Sequence, residues 1–174
     1  MYKRILVPVD GSSTSDHGLS EAMALAHLTH GRLRLIHVID ELSFSFGMEA
    51  YGAYGGADWL GVMRENGALI LSRNKATVEA AKLEVDTVLY DSFSGTVHEL
   101  VSAEVHQWAA SLIVLGTHGR RGIGRLVLGS GAENILRHAP VPVLLVRAPE
   151  AVSGVSANEP HVRLGVPVGS VALQ

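Results

Sequence analysis

The sequence predicts an α/β fold, a five-stranded parallel sheet with helices on both faces. Three observations carry that prediction. Short apolar runs recur along the chain, and they are continuous rather than alternating, the mark of strands buried on both sides. Between them lie segments whose apolar residues recur at helical spacing. Gly, Ser and Pro punctuate the changeovers, so strand and helix alternate, which implies right-handed βαβ crossovers.

Ile5-Leu6-Val7-Pro8-Val9 is the first apolar run, and it ends at Asp10-Gly11. Ser12-Ser13-Thr14-Ser15-Asp16 is rich in capping residues, and Leu19, Ala22, Met23 and Ala26 follow at helical spacing. Gly31 reads as the C′ residue that closes this helix after His30. Leu33-Arg34-Leu35-Ile36-His37-Val38-Ile39 is the second strand. Residues 42–57 mix Gly47, Gly52, Gly55 and Gly56 with Phe44, Phe46, Tyr51 and Tyr54 without a period, and read as a surface loop or lid. A helix is expected over 58–82, weakened by Gly61 and Gly67.

Val85-Asp86-Thr87-Val88-Leu89-Tyr90 is the third strand. Thr96-Val97-His98-Glu99 fits a capping box, with Leu100, Val101, Val105 and Trp108 continuing the helix. Leu112-Ile113-Val114-Leu115 is the fourth strand. Ser130-Gly131-Ala132-Glu133 fits a second capping box and opens a short helix through His138, broken by Pro140 and Pro142. Val143-Leu144-Leu145-Val146 is the fifth strand. From Ala148 the composition changes to scattered Pro and Gly with little charge. One domain is expected over 1–147, and 148–174 reads as a disordered tail or, from the alternation of Val162, Leu164, Val166 and Val168, an added edge strand.

Apolar residues make up 47% of the chain, enough for a sizeable core. A net charge of -3 favours neither nucleic acid nor a membrane surface. With no cysteine, disulfides, thiol catalysis and thiolate metal sites are excluded. No apolar run approaches the roughly 20 residues a membrane helix needs. A cytoplasmic protein is expected.

The chemistry concentrates after the fourth strand. Leu115-Gly116-Thr117-His118-Gly119 leads into Arg120-Arg121-Gly122-Ile123-Gly124-Arg125, and Gly129-Ser130 then starts a helix. Backbone N–H groups, cationic side chains and a helix N-terminus together are the parts of a phosphate site. Gly116 and Gly119 let backbone approach a ligand with no Cβ in the way. Asp10, at the end of the first strand, suits ribose hydroxyls if strands one and four are neighbours, because ligands of open parallel sheets sit beyond the carboxyl ends where strand order reverses.

Other chemistries fail on spacing. Gly124 and Gly129 have Walker A spacing, but Ser130 stands where the lysine belongs. Asp10-Gly11-Ser12-Ser13 follows the first strand in place of a dinucleotide fingerprint. Ser130 has Leu128 and Ala132 where a nucleophile elbow needs glycines. His27 and His30 share a helix face, but no acidic residue at matching spacing completes a metal set.

Gly116, Gly119, Gly129 and Ser130 follow the pattern of a glycine, two residues, a glycine, nine residues, then glycine and Ser or Thr. With the opening Ile5-Leu6-Val7-Pro8-Val9-Asp10-Gly11-Ser12, the His37-Val38-Ile39-Asp40 strand end and the closing Arg137-His138-Ala139-Pro140-Val141-Pro142-Val143, the chain resembles the nucleotide-binding subgroup of the universal stress protein family over 1–147. The resemblance implies the adenine-nucleotide alpha-hydrolase-like, Rossmann-like fold with strand order 3-2-1-4-5. It implies ATP in the crevice, AMP or ADP being admissible in its place, with Mg²⁺ admissible beside the phosphates. By matching position Asp10 would contact ribose, with Pro8 and Val9 alongside, and the backbone of Val38 would read the adenine edge. Gly116, His118, Gly119 and Arg120 would hold the ribose-phosphate region, and Gly129, Ser130, Gly131 and Ala132 the triphosphate. It implies a homodimer through the last strand and stress adaptation by ATP-linked regulation, with at most slow hydrolysis. Two alternatives stand beside it: a nucleotide-free interaction scaffold, and an adenylate-forming enzyme of the related fold. Three departures from the family pattern are visible: Ser111 stands for a common Asp, Gly131 for a usual Val, and the tail is long.

Overall fold

A computed structural model of the chain describes residues 1–39, 58–91, 95–117 and 130–147. Through them run β1 (Arg4–Pro8), α1 (Ser13–Thr29), β2 (Arg32–Val38), α2 (Trp59–Ala80), β3 (Val85–Tyr90), α3 (Val97–Trp108), β4 (Leu112–Thr117), α4 (Ser130–His138) and β5 (Val143–Arg147). The strands form one sheet in the order β3-β2-β1-β4-β5, every pair parallel. The stretch 42–57, the loop 118–129 and the tail from Ala148 lie outside the described residues.

The continuous apolarity of the strands has the expected cause. Successive side chains point to opposite faces, so a strand covered on both sides needs apolar residues at every position. Ile5 and Val7 join Leu33, Leu35, Leu19, Ala22, Ala26, Leu71 and Val78 on the face covered by α1 and α2. Leu6 joins Ile36, Ile113, Val101, Val105, Trp108 and Ile135 on the face covered by α3 and α4.

The helix ends are set locally. Ser12 caps α1, its Oγ accepting the Ser15 N–H at 3.2 Å. The helix closes one residue earlier than the glycine suggested: His30 takes the left-handed conformation (φ 50°), its N–H bonding His27 O while Gly31 N–H bonds Ala26 O. At the start of α3 the Thr96 N–H and Oγ1 both donate to Glu99 Oε2 at 2.8 Å. Those bonds hold the Glu99 carboxyl below its ordinary 4.5, first the backbone one and then the hydroxyl. The contribution is therefore complete above pH 4.5 and is lost as pH falls through the lowered value. Glu99→Gln is expected to flatten the acid limb of stability below that pH, read from thermal unfolding between pH 3 and 6, roughly the carboxylate titration window.

The second expected capping box does not form. Ser130 is the first residue of α4, and the Glu133 carboxylate reaches forward one turn to Arg137 at 3.1 Å. An i,i+4 cation competes for the acid that would otherwise fold back on the helix start. Ser111, the departure before β4, is structural: its hydroxyl donates to Arg4 O at 3.1 Å, at the sheet edge opposite the strand ends that matter below.

One polar network lies under α3. Glu104 is 1% exposed. It accepts from Arg34 Nη1 at 2.6 Å and from the Tyr90 hydroxyl at 2.8 Å, while Arg34 Nη2 bonds Asp86 at 3.1 Å. The Arg34 guanidinium also lies 4.8 Å over the Trp108 ring. Burial alone would lower the Arg34 pKa, but the bonds to Glu104 and Asp86 outweigh it and the net direction is up. Burial, then the bond to Glu104, raises the Tyr90 phenol above its ordinary 10.0.

Candidate functional site: a cleft at the carboxyl edge of the sheet

β1 and β4 are neighbours, paired Ile5 to Leu112 and Leu6 to Ile113, and the chain runs outward from them in both directions. Strand order therefore reverses between them, and a crevice opens past their carboxyl ends. The cleft there measures about 290 Å³. Pro8 enters it from the end of β1 with Val9 and Asp10 just past that strand, Val38 from β2, Gly116 from β4, and Ser130, Gly131 and Ala132 from the start of α4. Eight sequence-chosen residues separated by most of the chain thus share one cavity. His118, Gly119, Arg120 and Gly129 lie outside the described residues.

The two sides of the cleft differ in chemistry. Ile36, Val38, Val97, Leu115 and Ile135 make an apolar side. Asp10, Ser12, Thr14 and Ser15, at the start of α1, make a polar one. The Asp10 carboxylate is exposed, and its Oδ1 accepts the Ser12 N–H at 2.9 Å. Its own N–H donates to Ser15 Oγ at 3.3 Å. The first turn of α4 brings backbone N–H groups that have no partner inside the helix, and the positive end of its dipole. At Gly131 a Cβ would meet nothing within 4 Å. The arrangement suits a ligand with a flat apolar part, hydroxyls and an anionic end.

Gly116 needs a correction. Its missing Cβ was expected to admit a ligand. A Cβ there would stand 1.9 Å from Thr14 O, and one on Gly18 would stand 2.7 Å from Gly116 N. The glycine is demanded by α1, whose first turn lies against the β4 backbone; only the main chain of Gly116 is offered to the cleft.

Several lining residues escaped the sequence: Ser12, Thr14, Ser15, His37, Val97 and Ile135 among them. Ser12 to Ser15 read as capping residues, and Ser12 is the N-cap of α1. Their second property was deducible, because a helix that follows the first strand of a parallel sheet must start at the carboxyl edge. His37 sits in an apolar strand, where nothing local separates it from a core histidine. Its Nδ1 lies 2.7 Å from Val9 O.

Residues 1–147 match the model of the universal stress protein family. The chain belongs to that family. A universal stress protein of Methanocaldococcus jannaschii is 31% identical over 150 residues, covering 86% of this chain and 85% of the relative. Among solved structures, a universal stress protein family member from Burkholderia pseudomallei is 29% identical with a TM-score of 0.64, covering 84% of this chain and 97% of that one. Two others were solved with nucleotides. One, a universal stress protein in complex with cAMP, is 18% identical with a TM-score of 0.56, covering 84% of this chain and 97% of that one. The other, from Archaeoglobus fulgidus in complex with dAMP, is 19% identical with a TM-score of 0.57, covering 83% and 97%. At those identities the two share the fold with this universal stress protein. No helix among the described residues is long and apolar enough to cross a membrane.

Proposed function

We propose that this universal stress protein binds ATP in the cleft and acts as a cytoplasmic regulatory module of stress adaptation, hydrolysing the nucleotide slowly at most. The observation that supports this reading is the convergence of Asp10, the Val38 edge and the first turn of α4 on one cavity with an apolar side. Proteins of the same fold solved with cAMP and dAMP name the ligand class to test first.

In this reading the adenine lies on the apolar side with its edge against the Val38 backbone. Asp10 accepts from ribose hydroxyls, with Pro8 and Val9 alongside. Ser130, Gly131 and Ala132 hold phosphate oxygens through their amides, joined by Gly116 main chain and by His118, Gly119, Arg120 and Gly129. Mg²⁺ would accompany the phosphates. AMP or ADP would use the same base and ribose contacts.

Titration with ATP–Mg²⁺ by calorimetry, beside native mass spectrometry of the purified protein, tests the proposal. Bound or acquired nucleotide supports it; no uptake leaves the scaffold alternative. Asp10→Ala is expected to weaken ATP binding by about 1–3 kcal/mol, the usual loss of a hydrogen bond to a charged group. An effect confined to thermal stability would make Asp10 only the acceptor of its Ser12 turn.

The reading includes a homodimer through β5. β5 is an edge strand of the described sheet and carries Leu144 at 39% exposure, an apolar edge that pairing would cover. Sedimentation of the full chain reads the oligomeric state.

A further inference from the structure

We infer that His37 is a positioning residue of the cleft, holding the end of β1 in register with the Val38 edge of β2; the inference rests on the nucleotide reading of that cleft. Main-chain pairing between β1 and β2 runs from Arg4 to Pro8 and continues with the Val9 N–H donating to Ile36 O at 2.9 Å. The next acceptor along that edge, the Val9 carbonyl, takes a side chain: His37 Nδ1, at 2.7 Å. A carbonyl only accepts, so Nδ1 carries the proton, and the tautomer and ring orientation follow. The bond joins the residue between Pro8 and Asp10 to the residue before Val38, and all of these line the cleft.

A second observation is independent of that bond. Gly67 is buried midway along α2, where glycine is an unfavourable helix residue. A Cβ at that position would lie 2.8 Å from His37 Cδ2, 2.9 Å from Leu89 Cδ1 and 3.2 Å from His37 Nε2. The glycine makes the space in which the imidazole that reaches Val9 packs beside Leu89. Without the donor, the Val9 N–H still pairs with Ile36 O, but the carbonyl side of Val9, which leads into Asp10, loses its bond to β2, and the Asp10 carboxylate and Val38 main chain lose part of their common setting.

Calorimetric titration with ATP–Mg²⁺, together with amide NMR shifts of the ligand-free protein, tests this on wild type, His37→Asn, His37→Gln and His37→Leu. Asn places an amide N–H where Nδ1 stands, Gln carries it one bond further, and Leu has none. His37→Asn is expected to bind within about twofold of wild type, and the Gln and Leu variants about tenfold more weakly. The Asp10 and Val38 amide signals move in those two and not in the Asn variant. Equal affinities throughout, or equal weakening in all three variants, overturns the positioning role. If the Leu variant does not fold, the Asn–Gln comparison decides. Wild-type protein that takes up no nucleotide overturns the ligand reading instead, and the ligand-free shifts still decide the role of His37.

Discussion

Arg34→Met is expected to destabilise the fold by about 3–5 kcal/mol, the loss that follows when one partner of a buried ion pair is removed. Glu104 would remain at 1% exposure, held only by the Tyr90 hydroxyl. A buried carboxylate without its cation is an uncompensated charge, and that is the source of the loss. Urea unfolding of the variant beside wild type should show the deficit. Arg34→Met combined with Glu104→Gln should recover most of the loss, because Gln keeps an acceptor for Tyr90 and carries no charge. A single variant with wild-type stability would mean that Glu104 is solvated through an opening under α3.

Gly116→Val is expected to cost roughly 3 kcal/mol or more by forcing α1 off β4, at the upper end for overpacking. The first added carbon would already stand 1.9 Å from the Thr14 carbonyl, a main-chain atom that cannot swing aside. Nucleotide affinity should fall with stability, because the start of α1 is also a side of the cleft. Gly131→Ala is the control. It meets nothing within 4 Å and should change stability by about 1 kcal/mol or less, in the favourable direction of helix propensity. Thermal unfolding of the two variants checks the contrast. A Gly116→Val protein of normal stability that had lost only nucleotide would restore the view that this glycine exists for the ligand.

Much of the site was legible because its residues obey local rules. Asp10 ends an apolar run, Ser130 starts a helix after a glycine-rich stretch, and Val38 ends a second run; in a parallel sheet all strand ends share one edge. What stayed illegible depends on distance between elements. Arg34 in a strand and Glu104 on a helix carry no mutual signal across 70 positions of sequence. His37 resembles any histidine in a buried strand until Val9 and Gly67 are seen around it. Glu133 fitted a capping box by spacing, and Arg137 was equally well spaced to claim it.

The one-dimensional pattern determined the elements, the two-faced burial of the strands and the edge where the cleft opens, since each follows from the periodicity of apolar residues and the parallel topology it demands. Tertiary structure decided why Gly116 is glycine, where a buried acid finds its cation and which imidazole ties β1 to β2. Those outcomes turn on contacts of a few ångströms between segments remote in sequence, and neither composition nor spacing along the chain sets such distances.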